Sequence, residues 1–183
     1  MAEFERKRDM ELLRRFRAGD REAFAAVYRN NQAPVFRFAL HMTADRVKAT
    51  EITQDVFVWL IHHPGDYDSE RGDLSSFLIG VTRKLLQRRL HNERRLVPLS
   101  EAGPEPRAYT EDTRESESAE LRKAIAALPE RYREAVVLCD LEEKSYEDAA
   151  SLLDCAIGTV RSRLHRARGL LARKLKSQQG CSV

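Results

Sequence analysis

Apolar residues recur along this chain at intervals of three and four, and no stretch alternates with a period of two. At about 100° per residue, that spacing is one buried face of a helix. Met10, Leu13 and Phe16 predict a first helix, which Gly19 stops. Asp20 predicts the cap of a second, with Ala23, Phe24, Val27 and Tyr28 inward. Pro34 predicts a bend or restart before Val35, Phe36 and Phe38. Thr43 or Asp45 starts a third helix, whose inner face is Ala49, Ile52, Val56 and Leu60, and Pro64-Gly65 ends it. Beyond the polar loop DYDSERGD a long helix is predicted over 74–95, with Leu74, Phe77, Leu78, Val81 and Leu85 as its seam.

The pattern then breaks. Between Val97 and Ser118 lie three prolines and six acids (Glu101, Glu105, Glu111, Asp112, Glu115, Glu117) against Arg107 and Arg114, with almost no large apolar residue. Such a segment buries too little apolar surface to offset its ordering entropy, so it predicts a flexible acidic linker over 97–118. Helical periodicity resumes with Leu121, Ala124, Ile125 and Leu128, and Pro129 opens a helix through Val136 and Val137. The expected fold is all-α: helical domains over 1–96 and 119–177, the linker between them, and a tail over 178–183.

The second domain carries the most specific pattern. Ser145-Tyr146-Glu147-Asp148 has the form of a capping box, a hydroxyl followed three residues later by an acid. A short helix follows, apolar at Ala149, Leu152 and Leu153. Asp154-Cys155-Ala156 breaks it, and Gly158-Thr159 opens another. In that last helix Val160, Leu164, Ala167 and Leu171 share one stripe. Ser162, His165, Arg166, Gly169 and Arg173 point the opposite way, with Arg161, Arg163 and Arg168 on the flanks. From Ala156 to Lys176 there are seven Lys or Arg and no acid. A solvated helix usually mixes signs, whereas a one-signed face repels itself unless an anion sits on it. Two short helices around a tight turn, the second basic, form a helix-turn-helix that reads nucleic acid. The bland alternative is a helical hairpin whose basic face is merely wet.

Global composition bounds the function without choosing it. The chain has 183 residues, 42% hydrophobic, and a net charge of only +3, so acidic stretches offset the basic ones. No apolar run approaches the roughly 20 residues needed to span a bilayer, which predicts no membrane insertion. The charged start MAEFERKRDMELL has no signal-peptide apolar region, which predicts a cytoplasmic protein. Cys139, Cys155 and Cys181 form no CxxC pair and suggest neither a disulfide framework nor zinc.

The first domain has its own charge pattern. RKLLQRRLHNERR, over 83–95, carries six Lys or Arg against Glu93 alone. Upstream, Glu51, Gln54 and Asp55 share one side of a helix with Val58 and Trp59 nearby. On composition alone that acidic face is ordinary solvated surface.

These residues together resemble a bacterial RNA polymerase sigma factor of the extracytoplasmic function (ECF) type. TEITQDVF is similar to the family's region-two helix, and the loop plus basic helix to its −10 promoter segment. ALPERYREAVVLCDLEEKSYEDAASLLDCAIGTVRSRLHRARGLL is similar to region four, which reads the −35 element. The resemblance implies that Glu51, Gln54, Asp55, Val58 and Trp59 meet the clamp helices of the largest subunit of core RNA polymerase. It implies −35 contacts from Thr159, Arg161, Ser162, Arg163, His165, Arg166 and Arg173. It implies −10 contacts from Arg83, Lys84, Gln87, Arg88, His91, Arg94 and Arg95. It also implies a flap contact on the second-largest subunit, an anti-sigma factor, a nucleoid location within holoenzyme, and no cofactor, metal or catalytic residue. Arginine suits the role, because its guanidinium bonds guanine O6 and N7 bidentately. Five positions depart from the family pattern. Phe77 stands for tryptophan, Lys84 and Arg88 for asparagine and aspartate, and Asp154 for the glycine of the turn, while Ala156 replaces a common proline. The first three weaken transfer of base-specific −10 roles.

Two other classes were weighed on residues. A stand-alone helix-turn-helix regulator accounts for the second domain and leaves TEITQDVF and the acidic linker unexplained. A nucleic-acid enzyme finds no GxxxxGK[ST], HExxH or GxSxG, and adjacent His62-His63 point to different helix sides. The acids of DYDSERGD are expected to be a solvated loop rather than a metal site.

Overall fold

The computed structural model describes residues 2–96 and 116–179, with side chains over 3–89 and 121–176. Most of the predicted linker and tail therefore lie outside the described residues. The helices run α1 (Ala2–Arg17), α2 (Arg21–Thr43), α3 (Arg46–His62), α4 (Leu74–Leu96), α5 (Ser116–Ala126), α6 (Glu130–Val136), α7 (Tyr146–Leu153) and α8 (Ile157–Gln179), with a π-helical turn at Val137–Leu141. There is no strand among the described residues. The chain divides into two compact units, Met1–Ala39 with Ala49–Ser100, and Leu40–Lys48 with Glu101–Val183.

In the first unit the caps form where short polar side chains meet orphan amides. Asp20 Oδ1 accepts the amides of Glu22 and Ala23, at 3.0 and 3.1 Å; in the Leu40–Lys48 segment, which belongs to the second unit, Asp45 Oδ1 accepts those of Val47 and Lys48, at 2.9 and 3.1 Å. Gly19 ends α1 at φ +94°, a conformation that favours glycine. The core is Ala23, Val27, Val35 and Phe38 from α2, the four expected residues of α3, and Leu74, Leu78, Ile79 and Val81 from α4. Aromatic contacts tie the helices: Phe16 on Phe24 at 4.9 Å, Tyr28 on Phe57 at 4.6 Å, Trp59 on Phe77 at 6.0 Å.

Three expectations here need correction. Pro34 neither bends the chain into a new element nor restarts it: α2 runs unbroken through it. Val27, Asn31, Val35 and Phe38 are all buried on one side, and that packing outweighs the roughly 3 kcal/mol that an interior proline costs. Met10 is 47% exposed, so α1 buries Leu13 without it. In α4 the seam turns toward Ile79, Thr82 and Leu86, leaving Leu85 half-buried.

In the second unit, α5 begins at Ser116, so residues 116–118 are helical where the linker was expected to continue. Leu121 is 39% exposed, while Ala124, Ile125 and Leu128 are buried as expected. Arg133 of α6 donates to the carbonyls of Ala126 and Leu128, satisfying the end of α5. The core is completed by Ala135, Val136, Val137, Leu138, Ala149, Leu153, Val160, Leu164 and Ala167.

Candidate nucleic-acid interface

The helix-turn-helix is assembled by local chemistry. Ser145 caps α7: its Oγ accepts the Asp148 amide at 3.0 Å, and the hydroxyl donates to Asp148 Oδ2 at 2.7 Å. Asp154 ends α7 in the left-handed region, at φ 50°, ψ 53°, a geometry that aspartate tolerates better than most residues. Three residues later, at Ile157, α8 begins. Val160, Leu164 and Ala167 are 0–2% exposed, and Leu171 is half-buried. That anchors the helix with Arg161, Ser162, His165, Arg166, Gly169 and Arg173 exposed, as their angular positions require. Thr159 and Arg163 are half-buried at the flanks.

Several of these side chains are held before any ligand arrives. The Ser162 hydroxyl donates to the Thr159 carbonyl at 2.9 Å. The Arg161 guanidinium stands 5.8 Å from the Tyr146 ring centroid. The neighbouring Arg166 guanidinium, with help from the charge of Arg131, holds the Tyr132 phenol of α6 below its ordinary pKa. Tyr132, His165, Arg166, Gly169, Leu170 and Arg173 line an open cleft along the helix. Arg168 does not belong to the free basic face. It grips Asp140 of the π turn with two hydrogen bonds, at 3.1 and 2.6 Å, which raise its pKa further.

The first unit presents a second charged surface. Lys84, Gln87 and Arg88 are exposed along α4, and Arg83 is half-buried. His91, Arg94 and Arg95 fall in the last turns of α4, and their side chains lie outside the described residues. On α3 the residues Glu51, Gln54, Asp55 and Val58 form an exposed strip, Val58 being 52% exposed. Trp59 is half-buried and stacked on His63 at 4.5 Å, its ring 9° from coplanar. Arg89 reaches from α4 to both acids, to Glu51 at 3.1 Å and Asp55 at 2.5 Å. Partial burial works against its charge, but the two carboxylates prevail and raise its pKa. The loop before α4 is built for structure: Asp73 caps α4 through the Ser76 amide and hydroxyl, both at 2.7 Å, and the Tyr67 hydroxyl donates to the Gly72 carbonyl at 3.0 Å.

A basic reading helix after a capped partner in one unit, and an acidic strip beside a basic helix in the other, find counterparts among known proteins. Sigma-70 region 2 matches residues 27–96 and Sigma-70 region 4 matches residues 118–171. The ECF RNA polymerase sigma factor SigM of Mycobacterium tuberculosis is 31% identical over 170 residues, covering 91% of this chain and 84% of SigM. The chain belongs to the ECF family of RNA polymerase sigma factors. SigE of Mycolicibacterium smegmatis is 32% identical over 162 residues, 82% of this chain, although the match spans only 62% of SigE. The sigma factor RpoE of Bartonella quintana, solved with its anti-sigma factor NepR, shares the fold at a TM-score of 0.71 and 24% identity, over 84% of this chain and 96% of that one.

Membership makes this chain an ECF sigma factor for promoter-specific initiation of transcription, and a stand-alone regulator is not favoured. The family is one of initiation factors rather than catalysts. Three features of this sigma factor were not foreseen from sequence. They are the Arg89 bridge, the Arg168–Asp140 brace and the Tyr132 wall of the cleft. Each joins residues distant along the chain, so spacing carries no signal for it.

Proposed function

We propose that this sigma factor works through four surfaces on two domains, 1–96 and 116–177, tethered by the residues between them. The exposed side of α8 reads the −35 element: Arg161, Ser162, Arg163, His165 and Arg166 face the major groove, while Thr159 and Arg173 hold phosphates. Arg83, Lys84, Gln87 and Arg88 of α4, with His91, Arg94 and Arg95 beyond them, face the melted −10 strand. Glu51, Gln54, Asp55, Val58 and Trp59 meet the clamp helices of core polymerase, and the second domain meets the flap. An anti-sigma factor restrains the protein in the cytoplasm, as supported by the complex in which its structural neighbour was solved. Inside holoenzyme the protein is on the nucleoid.

One observation carries the assignment. Val160, Leu164 and Ala167 are sealed in the core, which turns Arg161, Arg166 and Arg173 outward, with no acid on α8 beside them, on the second helix of a helix-turn-helix. Base edges specify, and phosphate contacts position. Arg166→Ala in holoenzyme is therefore expected to cost about 1–3 kcal/mol and to relax preference at one or two −35 positions. Arg173→Ala is expected to weaken binding evenly and to lower the salt slope by about one. Selection of holoenzyme on a randomised −35 library, with circular dichroism as folding control, separates the two. Unchanged base preference in Arg166→Ala would mean that α8 is not the reading element.

A further inference from the structure

The acidic strip of α3 does not stand alone, because a cation from the neighbouring helix already occupies it. Arg89 lies one residue, hence about 100°, beyond Arg88 on α4. That step turns it from the exposed side carrying Lys84, Gln87 and Arg88 toward α3. Its Nη1 donates to Glu51 Oε2 at 3.1 Å and its Nη2 to Asp55 Oδ2 at 2.5 Å. These bonds take one oxygen from each carboxylate and leave Glu51 Oε1 and Asp55 Oδ1 for another donor. Glu51 and Asp55 are one helical turn apart, so a free pair of like charges at that spacing repels and spreads over rotamers. The planar fork of arginine removes the repulsion and holds both groups in one arrangement.

We propose that Arg89 is a positioning residue for core-polymerase binding: it fixes Glu51 and Asp55 so that their outer oxygens meet a polymerase cation already ordered. The proposal rests on the assignment of the α3 strip to core polymerase. It gives the α4 helix, otherwise assigned to the −10 strand, a direct part in holding the polymerase face. A lysine at 89 cannot serve both acids with the same planar geometry and keeps only part of the effect.

The test is a set of dissociation constants between the full-length protein and purified core polymerase. The variants are Gln54→Ala, Asp55→Asn, Arg89→Gln, Arg89→Lys and the double variant Arg89→Gln/Asp55→Asn. Thermal melts confirm folding, which an exposed pair of this kind affects little. Arg89→Gln is expected to weaken binding about two- to fivefold, the loss of one well-ordered exposed ion-pair network. Arg89→Lys is expected to fall between it and the parent. Arg89→Gln should be non-additive with Asp55→Asn, because they remove the same contact, and additive with Gln54→Ala. If Gln54→Ala and Asp55→Asn weaken binding while Arg89→Gln leaves it unchanged, Arg89 positions nothing. If Arg89→Gln tightens binding, Arg89 masks the strip instead, and the proposal is wrong in sign. If neither Gln54→Ala nor Asp55→Asn changes the affinity, the strip is not the polymerase face, and the proposal falls with that assignment.

Discussion

Asp9 is a carboxylate on α1 that is only 8% exposed. Burial raises its pKa above the ordinary 3.8. Arg8 opposes the rise, while Asp73 and Glu5 add to it. The folded protein thus holds this proton more tightly than the unfolded chain does. Its contribution to stability declines as pH rises from 3.8 through the folded value. Asp9→Asn removes the charge and is expected to raise the melting temperature at neutral pH, with the gain shrinking toward zero in acid below 3.8. Scanning calorimetry of both forms between pH 3 and 7 checks this; a gain that is constant across the range would rule burial out as the cause. Single residues were legible in the sequence where their partners are local. Asp20, Asp45 and Ser145 cap amides two or three residues away, and the side chain alone announces it. Arg89 was not legible as a strut, because its partners lie 38 and 34 residues upstream.

At the scale of the element, α8 shows what periodicity can and cannot deliver. Its buried stripe and exposed face follow from an angle per residue, so both are visible in the sequence. Arg168 looked the same as its neighbours by that measure, yet Asp140 claims it. The π turn that carries Asp140 has no sequence signature of its own; it extends α6 and brings an acid to the flank of α8. Arg168 is thereby committed to Asp140 and is expected to place α8 rather than to read a base. Arg168→Ala is expected to lower stability by about 0.2–1 kcal/mol, since the pair is exposed. Base preference on the randomised −35 library should stay that of the parent; a changed consensus would make Arg168 a reader. The continuity of α2 through Pro34 has the opposite origin. A local rule predicts a break, and four buried residues on one face, Val27, Asn31, Val35 and Phe38, override it.

For the whole molecule the decisive quantity is how charge is distributed, since the net value of +3 hides it. Basic helices belong to both units, and the six acids between Glu101 and Glu117 separate them along the chain. Anionic tethers are repelled by DNA and attracted by a basic protein channel. Replacing four of those six acids with Gln or Ser keeps the length and removes the attraction. Run-off transcription with reconstituted holoenzyme is expected to show reduced initiation; normal initiation would leave the acids a role in solubility alone. A tether was visible only as an expectation from composition, because proline and acid are disfavoured in helical cores. Its end was less so: α5 starts at Ser116, where polar residues still suit a first helical turn.

Gly169 lies inside α8 with open space where a Cβ would stand: apart from its chain neighbours and the backbone of its own helical turns, nothing comes within 4 Å of it. An interior helical glycine costs about 1 kcal/mol relative to alanine, and here no internal neighbour requires it. The chain therefore forgoes stability at a position that lines the cleft beside Arg166 and Arg173. Gly169→Ala is expected to raise the melting temperature and to weaken promoter binding, two readouts moving in opposite directions from one methyl group. A variant that gained stability with promoter affinity intact would show the glycine to be dispensable. Otherwise the bare backbone is a tolerance left for an incoming surface, and the most heat-resistant version of this helix is not the version that works.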